Sequence, residues 1–583
     1  MITILCLCSS LTEVFAVGLD SLSYNYRQDN LSTMNDLNFN HVFQFDKSAF
    51  ELRDILRYKL FDQKNISTGN KQYSIEHKLQ GDILWGRDRN RNLRLETSQY
   101  EDHRTGLAST IDNWAFLGGL NVKDLYSLYF GGRSVERYGI VDQGWTSELD
   151  LHRSWRTNAH YTNLAISGQK DELDEHSNHH VNAQAEYQIR FAQISTLRSS
   201  FQIENRRQEF FTDPLGSSQL RKNQNIVWQN HFTYNLGKEL RLFHDLNWGD
   251  QMTEIKQEKI EEGASISLRG EERKRLSLVN ESGLMLDRPN FSTLTAFKVE
   301  NSQNKYYIDY TQILYQLRED IVWNIPGIVD SLSWNNTLSR LEYDTPDTTN
   351  DDDRDEWRLK TELSLKWRPS PFYSVELGSN LSLFHLIYLF NTRSSENYWN
   401  RNLVFWTEFK WIRNSWSGEG GANIRSNYFD YDYDELFIEA DQASRSFVHR
   451  SLDLRKQITY RFNRRLSIVS KIATRWEDEG QLNWVAFIEQ VSSEREQIEL
   501  SSKLSLDYRG WNAWLGYLTH RRETQYSVLN RDPDHWYGKG PLFGVSHQLG
   551  SRLYVNLDAR IISVEDQDRS YQLPRIFFSL AYH

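Results

Sequence analysis

Side chains that could bind a transition metal cluster in the segment DEHSNHH, residues 174–180. This segment places His176, His179 and His180 beside Asp174 and Glu175. Imidazole and carboxylate groups are ligands that first-row metals accept. A solvated polar loop would have the same composition without any metal, and it is the interpretation we favour. No resident metal ion is therefore predicted.

Carboxylate groups are concentrated in the segment DTPDTTNDDDRDE, residues 344–356. Carboxylate oxygens suit calcium, but the segment lacks the spacing and the glycine of an EF-hand loop. A charged external loop is the favoured interpretation, and a divalent ion bridging to lipopolysaccharide phosphate is the alternative. The aspartates are Asp344, Asp347, Asp351, Asp352, Asp353 and Asp355.

Tyrosine and aspartate alternate in YFDYDYDELF, residues 428–437. Tyr428, Tyr431 and Tyr433 could stack on sugar rings, because aromatic faces offer apolar area beside a polar group. The favoured interpretation is a strand that extends beyond a membrane.

Catalytic and cofactor motifs are not found in the chain. Serine, histidine and aspartate are plentiful, but no Gly-x-Ser-x-Gly motif occurs. Phosphate loops, dinucleotide fingerprints and basic nucleic-acid patches are also missing. The only cysteines, Cys6 and Cys8, lie at the N-terminus. We therefore predict no enzyme activity, no cofactor and no nucleic-acid partner.

The elements that hold these segments are revealed by residues 357–383, WRLKTELSLKWRPSPFYSVELGSNLSL. Every second residue from Trp357 to Trp367 is apolar or threonine, and the residues between them are charged or serine. The same alternation resumes after Pro371, and it recurs near residues 149, 466 and 553. Alternation of this kind indicates a strand with two different faces.

Strand length distinguishes a membrane barrel from a soluble sheet. The alternating runs are longer than the five or six residues that are usual in soluble domains, whereas tilted strands of about 9 to 11 residues cross a bilayer. No run of about 18 apolar residues follows the N-terminus, so no membrane helix is predicted. Aromatic residues make up 13% of the chain, with 19 Trp and 30 Tyr, which suits surfaces between lipid and water.

Tight turns alternate with long polar loops. Turns are predicted near Arg156, Gly237, Pro289, Pro326, Pro369, Trp416, Arg464, Gly510 and Gly550. The polar loops between them are GQKDELDEHSNHH, TDPLGSSQLRKNQ, DTPDTTNDDDRDE and DYDYDELFIEADQASRS. Short periplasmic turns and long extracellular loops are typical of outer-membrane barrels. A propeller would also repeat at this interval, but its blades have four short strands. We predict one all-β antiparallel barrel of about 24–26 strands.

The domain boundaries follow from this pattern. Residues 1–16 resemble an export signal, although they contain no Lys or Arg and Glu13 interrupts the apolar part. We predict a short periplasmic segment over residues 17–35 and a barrel over residues 36–583.

The two faces of each strand have separate predicted roles. In a wide barrel the apolar face meets lipid and the charged face lines a water-filled lumen. The candidate lumen-lining residues are Arg358, Lys360, Glu362, Lys366, Glu376, Lys471, Arg475, Asp558 and Arg560. The candidate membrane-interface aromatics are Trp357, Trp367, Tyr373, Trp476, Phe578 and Tyr582.

The repeated hairpins and the final strand PRIFFSLAYH resemble those of Gram-negative outer-membrane β-barrel proteins. The resemblance implies a C-terminal strand, closed by an aromatic residue, that the barrel assembly machinery recognises. Here His583 follows that aromatic residue, which departs from the pattern. TonB-dependent receptors are disfavoured because strand-like sequence begins where their plug domain would lie. Barrels of electron conduits are disfavoured because the expected cysteines are missing.

The predicted function is a wide polar pore or translocation channel for solutes or an exported polymer. The alternative is a scaffolding barrel that sheathes or anchors a partner of an envelope complex. Expected partners are outer-membrane lipid, lipopolysaccharide and the assembly machinery, together with a periplasmic or lumenal protein if the barrel is a scaffold.

Overall fold

The computed structural model covers the chain of 583 residues. It describes all residues except 1–20, 29–31, 46–49, 64–71, 86–90, 103–108, 123–124, 192–194, 213–215, 262–263, 306–308, 326, 328, 347–350, 435–443, 484–487, 528–531, 550–552, 567–568 and 583. The proposed export signal therefore lies outside the described residues.

Twenty-eight strands form in the described part of the chain. The first fourteen are β1 (Ser21–Gln28), β2 (Ser32–Phe45), β3 (Phe50–Gln63), β4 (Gln72–Trp85), β5 (Arg91–Asp102), β6 (Ser109–Val122), β7 (Tyr126–Arg137), β8 (Ile140–Arg156), β9 (His160–Leu173), β10 (Ser177–Phe191), β11 (Ser195–Phe211), β12 (Ser218–Asn235), β13 (Leu240–Glu261) and β14 (Ala264–Arg288). The others are β15 (Phe291–Lys305), β16 (Tyr310–Ile325), β17 (Val329–Asp344), β18 (Arg354–Ser370), β19 (Tyr373–Tyr388), β20 (Tyr398–Arg413), β21 (Trp416–Tyr431), β22 (Phe447–Arg461), β23 (Leu466–Asn483), β24 (Ile488–Tyr508), β25 (Trp511–Tyr526), β26 (Asp534–Leu549), β27 (Leu553–Asp566) and β28 (Arg569–Tyr582).

Helical structure in the described part of the chain is confined to short segments. A 3-10 helix, Ser394–Glu396, lies between β19 and β20. Within the described ranges, no helix has the length and apolar character needed to cross a membrane.

All the strands belong to one antiparallel sheet that closes on itself. Each strand pairs with the next along the chain, and β1 pairs with β28. In the closing pair, Tyr24 lies opposite Leu580 and Tyr26 lies opposite Phe578. Closure leaves no strand edge, so backbone N–H and C=O groups find partners without water. The predicted fold class, a single large all-β barrel, is confirmed.

The barrel begins earlier than predicted. Strand β1 and the first residues of β2 lie inside the stretch 17–35 that was predicted to be a periplasmic segment. The barrel therefore includes β1, which begins at Ser21, the first residue that the structure describes, and does not start at residue 36. The strand count of 28 is two above the upper end of the expected range. The difference arises because β1 to β7 have 14 residues or fewer and follow each other closely, whereas the expected count assumed longer hairpins.

Connections differ between the two ends of the barrel. The turn end, defined by the connection after β2 and every second one after it, has connections of two to five residues. All nine predicted turns fall at this end, with Pro326 and Gly550 themselves outside the described residues. The turn Arg509–Gly510 is one example, and both residues have positive φ, 50° and 83°. Strand β1 starts and strand β28 finishes at this same end.

The opposite end, here the loop end, carries connections of up to 15 residues. The predicted polar loops lie here but are shorter than expected, spanning residues 174–176, 212–217, 345–353 and 432–446. Much of their polar sequence is paired as strand instead. Strands with polar side chains can pair in water as well as in lipid. Polar composition alone therefore overestimates the length of these loops.

Curvature identifies the inner face of the sheet. Arg94 on β5 lies 3.4 Å from Glu148 on β8, although three strand spacings in a flat sheet would be about 14 Å. Side chains can bridge that gap only on the concave side. Registers followed strand by strand place Arg358 on the same concave face as Arg94.

The loop end is expected to face the cell exterior, because long connections mark that side in outer-membrane barrels. A protease-sensitive tag inserted at Asp351 should be cleaved in intact cells. A tag at Arg464, in the connection between β22 and β23, should be cleaved only after the outer membrane is permeabilised. Cleavage in the reverse pattern would invert the assigned topology.

Candidate pore lining

The nine predicted lumen-lining residues share one face of the sheet. Lys366 on β18 lies opposite Glu376 on β19. Arg358, Lys360 and Glu362 share the face of Lys366 on β18 because they lie at even-numbered spacings from it. Following the registers from β19 to β27 places the four candidates on β23 and β27 on this concave face as well. The alternation of polar and apolar residues is therefore in register from β18 to β27, across ten strands. Facing a water-filled lumen remains the proposed role of these side chains.

Most contacts of these candidates are ion pairs with strand neighbours. Arg358 lies 2.7 Å from Glu356, and Lys366 lies 3.5 Å from Glu376. Arg475 lies 2.6 Å from Glu477. At least one side chain of each pair is exposed to solvent, so the pairs contribute little net stability. Their consequence is a wall whose charges alternate in sign over short distances.

The positions of the predicted interface aromatics lie on the opposite, convex face, and their contact with the membrane interface remains a prediction. Trp357, Trp367, Tyr373 and Trp476 are between 38% and 43% exposed. Phe578 and position 582 of β28 are on this face by register. Ten residues separate Trp357 from Trp367 on β18, which corresponds to about 25 Å along the barrel axis at a tilt of about 40°. That height matches the apolar band of an outer-membrane barrel.

An arginine lies beside an aromatic residue at the margin of the apolar band. Arg340 lies over the Trp357 ring at 5.4 Å and pairs with Asp355 at 2.9 Å. Below Trp357 towards the turn end, the convex residues of β18 are apolar except Thr361. A closed sheet with an exposed apolar band and aromatic margins is built for lipid. This is a transmembrane β-barrel.

A charged cluster on the concave face of β4 to β8 was not predicted from the sequence. Arg94 donates a hydrogen bond to Asp82 at 2.9 Å and lies 3.2 Å from the Tyr129 hydroxyl and 3.4 Å from Glu148. The side chains of Arg94, Asp82 and Glu148 are each less than one-fifth exposed. Arg94 alternates with Leu93 and Leu95 in the sequence, and that local signal could have identified a concave arginine. Its partners lie on three other strands, which no local pattern reveals.

A second layer continues this cluster towards the loop end. Asp171 on β9 accepts hydrogen bonds from Arg133 at 2.8 Å and from Thr146 at 2.5 Å. His176 lies 2.6 Å from Asp142, and both side chains are at most 7% exposed. The two layers connect the hairpins of β4 to β10 through side chains as well as through the backbone ladder.

The histidine segment does not form the cluster that a metal would need. His176 binds Asp142 on the concave face, His179 lies on the convex face, and His180 lies on the concave face, 3.3 Å from Glu204. Among the described residues, no group of three or more histidine, cysteine or acidic side chains has metal-site geometry.

The acidic segment before β18 is tied to its surroundings. Asp353 accepts hydrogen bonds from the Thr345 backbone and hydroxyl at 2.6 and 2.7 Å. Asp351 accepts one from Thr392 at 2.6 Å, and Asp352 pairs with Arg393. These carboxylates join the connections on either side of the hairpin formed by β18 and β19.

Asp434 organises the described part of the longest connection, residues 432–446. It is 1% exposed and accepts hydrogen bonds from the Ser444 hydroxyl at 2.5 Å and from the Arg445 and Ser446 backbone at 2.8 and 3.1 Å. Burial alone would raise the pKa of the Asp434 carboxyl, but these hydrogen bonds to its charged form outweigh burial and lower the pKa.

Aromatic rings form a column on the concave face near the loop end. The rings of Tyr398 and Phe429 are 4.7 Å apart, and those of Phe429 and Phe447 are 5.1 Å apart at an interplanar angle of 6°. Tyr431 in the tyrosine–aspartate segment joins the column, 5.7 Å from Tyr398. Tyr428 lies on the convex face by register. Tyr428 and Tyr431 lie on β21, which extends to residue 431 as the sequence predicted, and Tyr433 follows in the connection.

Charge is distributed unevenly along the barrel axis. Described connections at the loop end contain ten acidic and two basic residues, whereas those at the turn end contain one acidic and four basic residues. The basic residues at the turn end are Lys238, Arg464, Arg465 and Arg509. A cation therefore meets attraction at the loop end and repulsion at the turn end.

No family model matches the chain, and no curated protein matches it. The siderophore receptor PirA from Pseudomonas aeruginosa has 8% identity and a TM-score of 0.33, with 84% of this chain and 86% of that chain covered. The FrpB iron transporter from Neisseria meningitidis has 8% identity and a TM-score of 0.36, with coverage of 76% and 79%. The copper transporter OprC has 9% identity and a TM-score of 0.37, with coverage of 86% and 85%. Likeness at this level carries no argument about function.

The assignment of the two faces predicts opposite outcomes for adjacent substitutions. Leu363→Arg places a charge on the convex face within the apolar band and should cost about 2–4 kcal/mol of folding free energy. Ser364→Arg, on the concave face, should cost much less. Folding into lipid vesicles, followed by urea titration, measures both. Equal effects would refute the face assignment for β18.

The concave charged cluster should be stabilising. Arg94→Leu leaves Asp82 and Glu148 without their cation and should cost about 1–3 kcal/mol. Arg358→Leu is the matched control, because its side chain is 61% exposed and its loss should cost about 0.5 kcal/mol or less. The urea midpoint of tryptophan fluorescence reports both variants. A cost for Arg94→Leu no larger than for the control would show that the cluster does not stabilise the fold.

Proposed function

We propose that this outer-membrane barrel forms a wide polar pore or translocation channel for solutes or an exported polymer. The observation that carries the proposal is the predominantly polar concave face, which can be followed through the registers from β4 to β27. Polar and charged side chains are unfavourable against lipid, so this face is suited to contact with water. The described chain consists of wall strands and their connections, so its described residues include no plug domain.

Strand number supports a wide lumen. Twenty-eight strands spaced about 4.8 Å apart and tilted about 40° form a cylinder with a backbone diameter on the order of 50 Å. Side chains from both walls cannot fill a cylinder of that width. Barrels of 16 to 18 strands already enclose an aqueous channel, so this one has room for large solutes or an extended polymer.

The same width supports a second candidate, a scaffolding barrel that sheathes a partner protein. A folded domain of 100 residues has a radius of gyration of about 13 Å and would fit within the lumen. One part of the concave wall is also apolar: Leu518, Leu542, Ile562 and Val564 are buried there, with Trp514, Trp536 and Leu573 packed against them. The pore and the scaffold predict different electrical behaviour.

The pore is expected to prefer cations weakly. The acidic loop end raises the local cation concentration at low ionic strength, while the concave wall has mixed signs. Wall charges are screened over about 8–10 Å at physiological salt, so most of a wide lumen is unaffected by them. Reversal potentials in a planar bilayer across a salt gradient should show slight cation selectivity that fades as salt concentration rises.

Two results would contradict the proposed weakly cation-selective pore. Strong anion selectivity that persists at high salt would show that the wall rather than the mouth controls permeation. Purified barrel that inserts but gives no conductance steps, and that copurifies with a lumenal protein, would favour the scaffold instead.

A further inference from the structure

A row of polar side chains crosses the lipid-facing band on four adjacent strands. Thr295 on β15 lies opposite Glu319 on β16, Glu319 lies opposite Asn336 on β17, and Asn336 lies opposite Thr361 on β18. By register all four belong to the convex face that carries Trp357. This set is here called the polar row.

The polar row lies within the apolar band rather than at its margin. On β16, Leu317 and Ile321 flank Glu319, and Tyr315 and Trp323 lie four residues away on either side. At about 3.3 Å per residue, Glu319 is therefore about 13 Å along the strand from each aromatic. Its carboxyl group is near the middle of the band, where an ionisable group is costly without a partner.

Hydrogen-bonding capacity in the polar row is left unused inside the chain. The Thr361 hydroxyl donates to the Asn336 amide oxygen at 2.7 Å, which leaves the Asn336 NH₂ group free to donate. For Glu319, the described part of the chain supplies neither a hydrogen bond nor an ion pair. An unused acceptor thus lies directly beside an unused donor.

Lys456, on β22, differs from Glu319 in its reach. It also lies on the convex face between apolar residues, Leu454 and Ile458. A lysine has a long flexible stem and can extend its ammonium group to the nearby interface. Glu319 is shorter by two methylene groups and lies four residues from either margin, so it needs a partner within the band.

We propose that the polar row is the contact between two copies of this barrel in the membrane. A two-fold axis along the membrane normal, passing between β16 and β17, brings β16 of one copy against β17 of the other. Glu319 of each copy then accepts hydrogen bonds from the Asn336 amide of the other. The contact is self-complementary, as a two-fold interface requires, and polar side chains form hydrogen bonds across contacts between protein segments within lipid.

Neighbouring residues suit such a contact. Leu317 and Leu338 lie opposite each other, one row nearer the loop end, and are 47% and 43% exposed. Ile321 and Trp334 lie opposite each other, one row nearer the turn end. The polar row is therefore enclosed by apolar side chains that would exclude lipid headgroups and water from the hydrogen bonds.

Cross-linking in native membranes tests the position of the contact. In a background carrying Cys6→Ser and Cys8→Ser, Leu338→Cys places a thiol beside the proposed axis. A short bifunctional maleimide should then yield a product with twice the mass of one chain. The matched control is Leu500→Cys on β24, which is also exposed on the convex face. We expect several-fold more product from Leu338→Cys than from the control.

Variants test whether the polar row causes the association. Glu319→Leu should shift the purified protein from dimer to monomer in native mass spectrometry, whereas Glu319→Gln, which can still accept a hydrogen bond, should remain largely dimeric. Lys456→Leu, which removes a different charge from the convex face, should leave the dimer unchanged. Heat-modifiable migration on gels shows that each variant is folded.

Several results would overturn the proposal. Equal cross-linking of Leu338→Cys and Leu500→Cys would show that lipid, or Asn336 of the same chain, satisfies Glu319. A product containing a different polypeptide would show that another membrane protein occupies the surface. A folded Glu319→Leu variant that stays dimeric would place the contact elsewhere.

Discussion

The structure depends on one constraint: lipid offers no hydrogen bonds to a peptide backbone. Every N–H and C=O group at membrane depth must therefore be paired within the protein. The sheet meets this requirement by pairing β1 with β28. Closure in turn separates a convex from a concave face. Because side chains alternate along each strand, one residue faces lipid and the next faces the interior of the barrel. The apolar band and its aromatic margins on the convex face, and the charged wall on the concave face, all follow from that separation.

The concave wall shows how charge is accommodated once the faces are separated. Opposite charges lie on neighbouring strands, as with Lys366 and Glu376, or two residues apart on one strand, as with Arg358 and Glu356. Elsewhere on the concave face, one arginine contacts acids on more than one strand, as Arg94 does with Asp82 and Glu148. Such contacts link strands that share no backbone hydrogen bonds. They add side-chain links between strands to those that the backbone ladder makes.

Local alternation explains how much of this could be predicted. Residues 357–383 specify two strands, their turn and both faces, because a period of two is visible within one segment. The start of the barrel was misplaced because β1 has only 8 residues and its partner β28 lies at the other end of the chain. The Arg94 cluster and the polar row were missed for the same reason. Each depends on the register between strands, and register is set by pairing across the sheet rather than by any one strand.

The two ends of the sheet, at β1 and β28, lie at the same edge of the barrel, the turn end. This arrangement requires an even number of strands. A sheet of this kind can grow or shrink by whole hairpins without moving either terminus to the other side of the membrane. Adding a single strand would instead carry one terminus, and anything fused to it, across the bilayer. The architecture therefore permits the width of the lumen to vary in steps of two strands. Every connection then stays on the same side of the membrane.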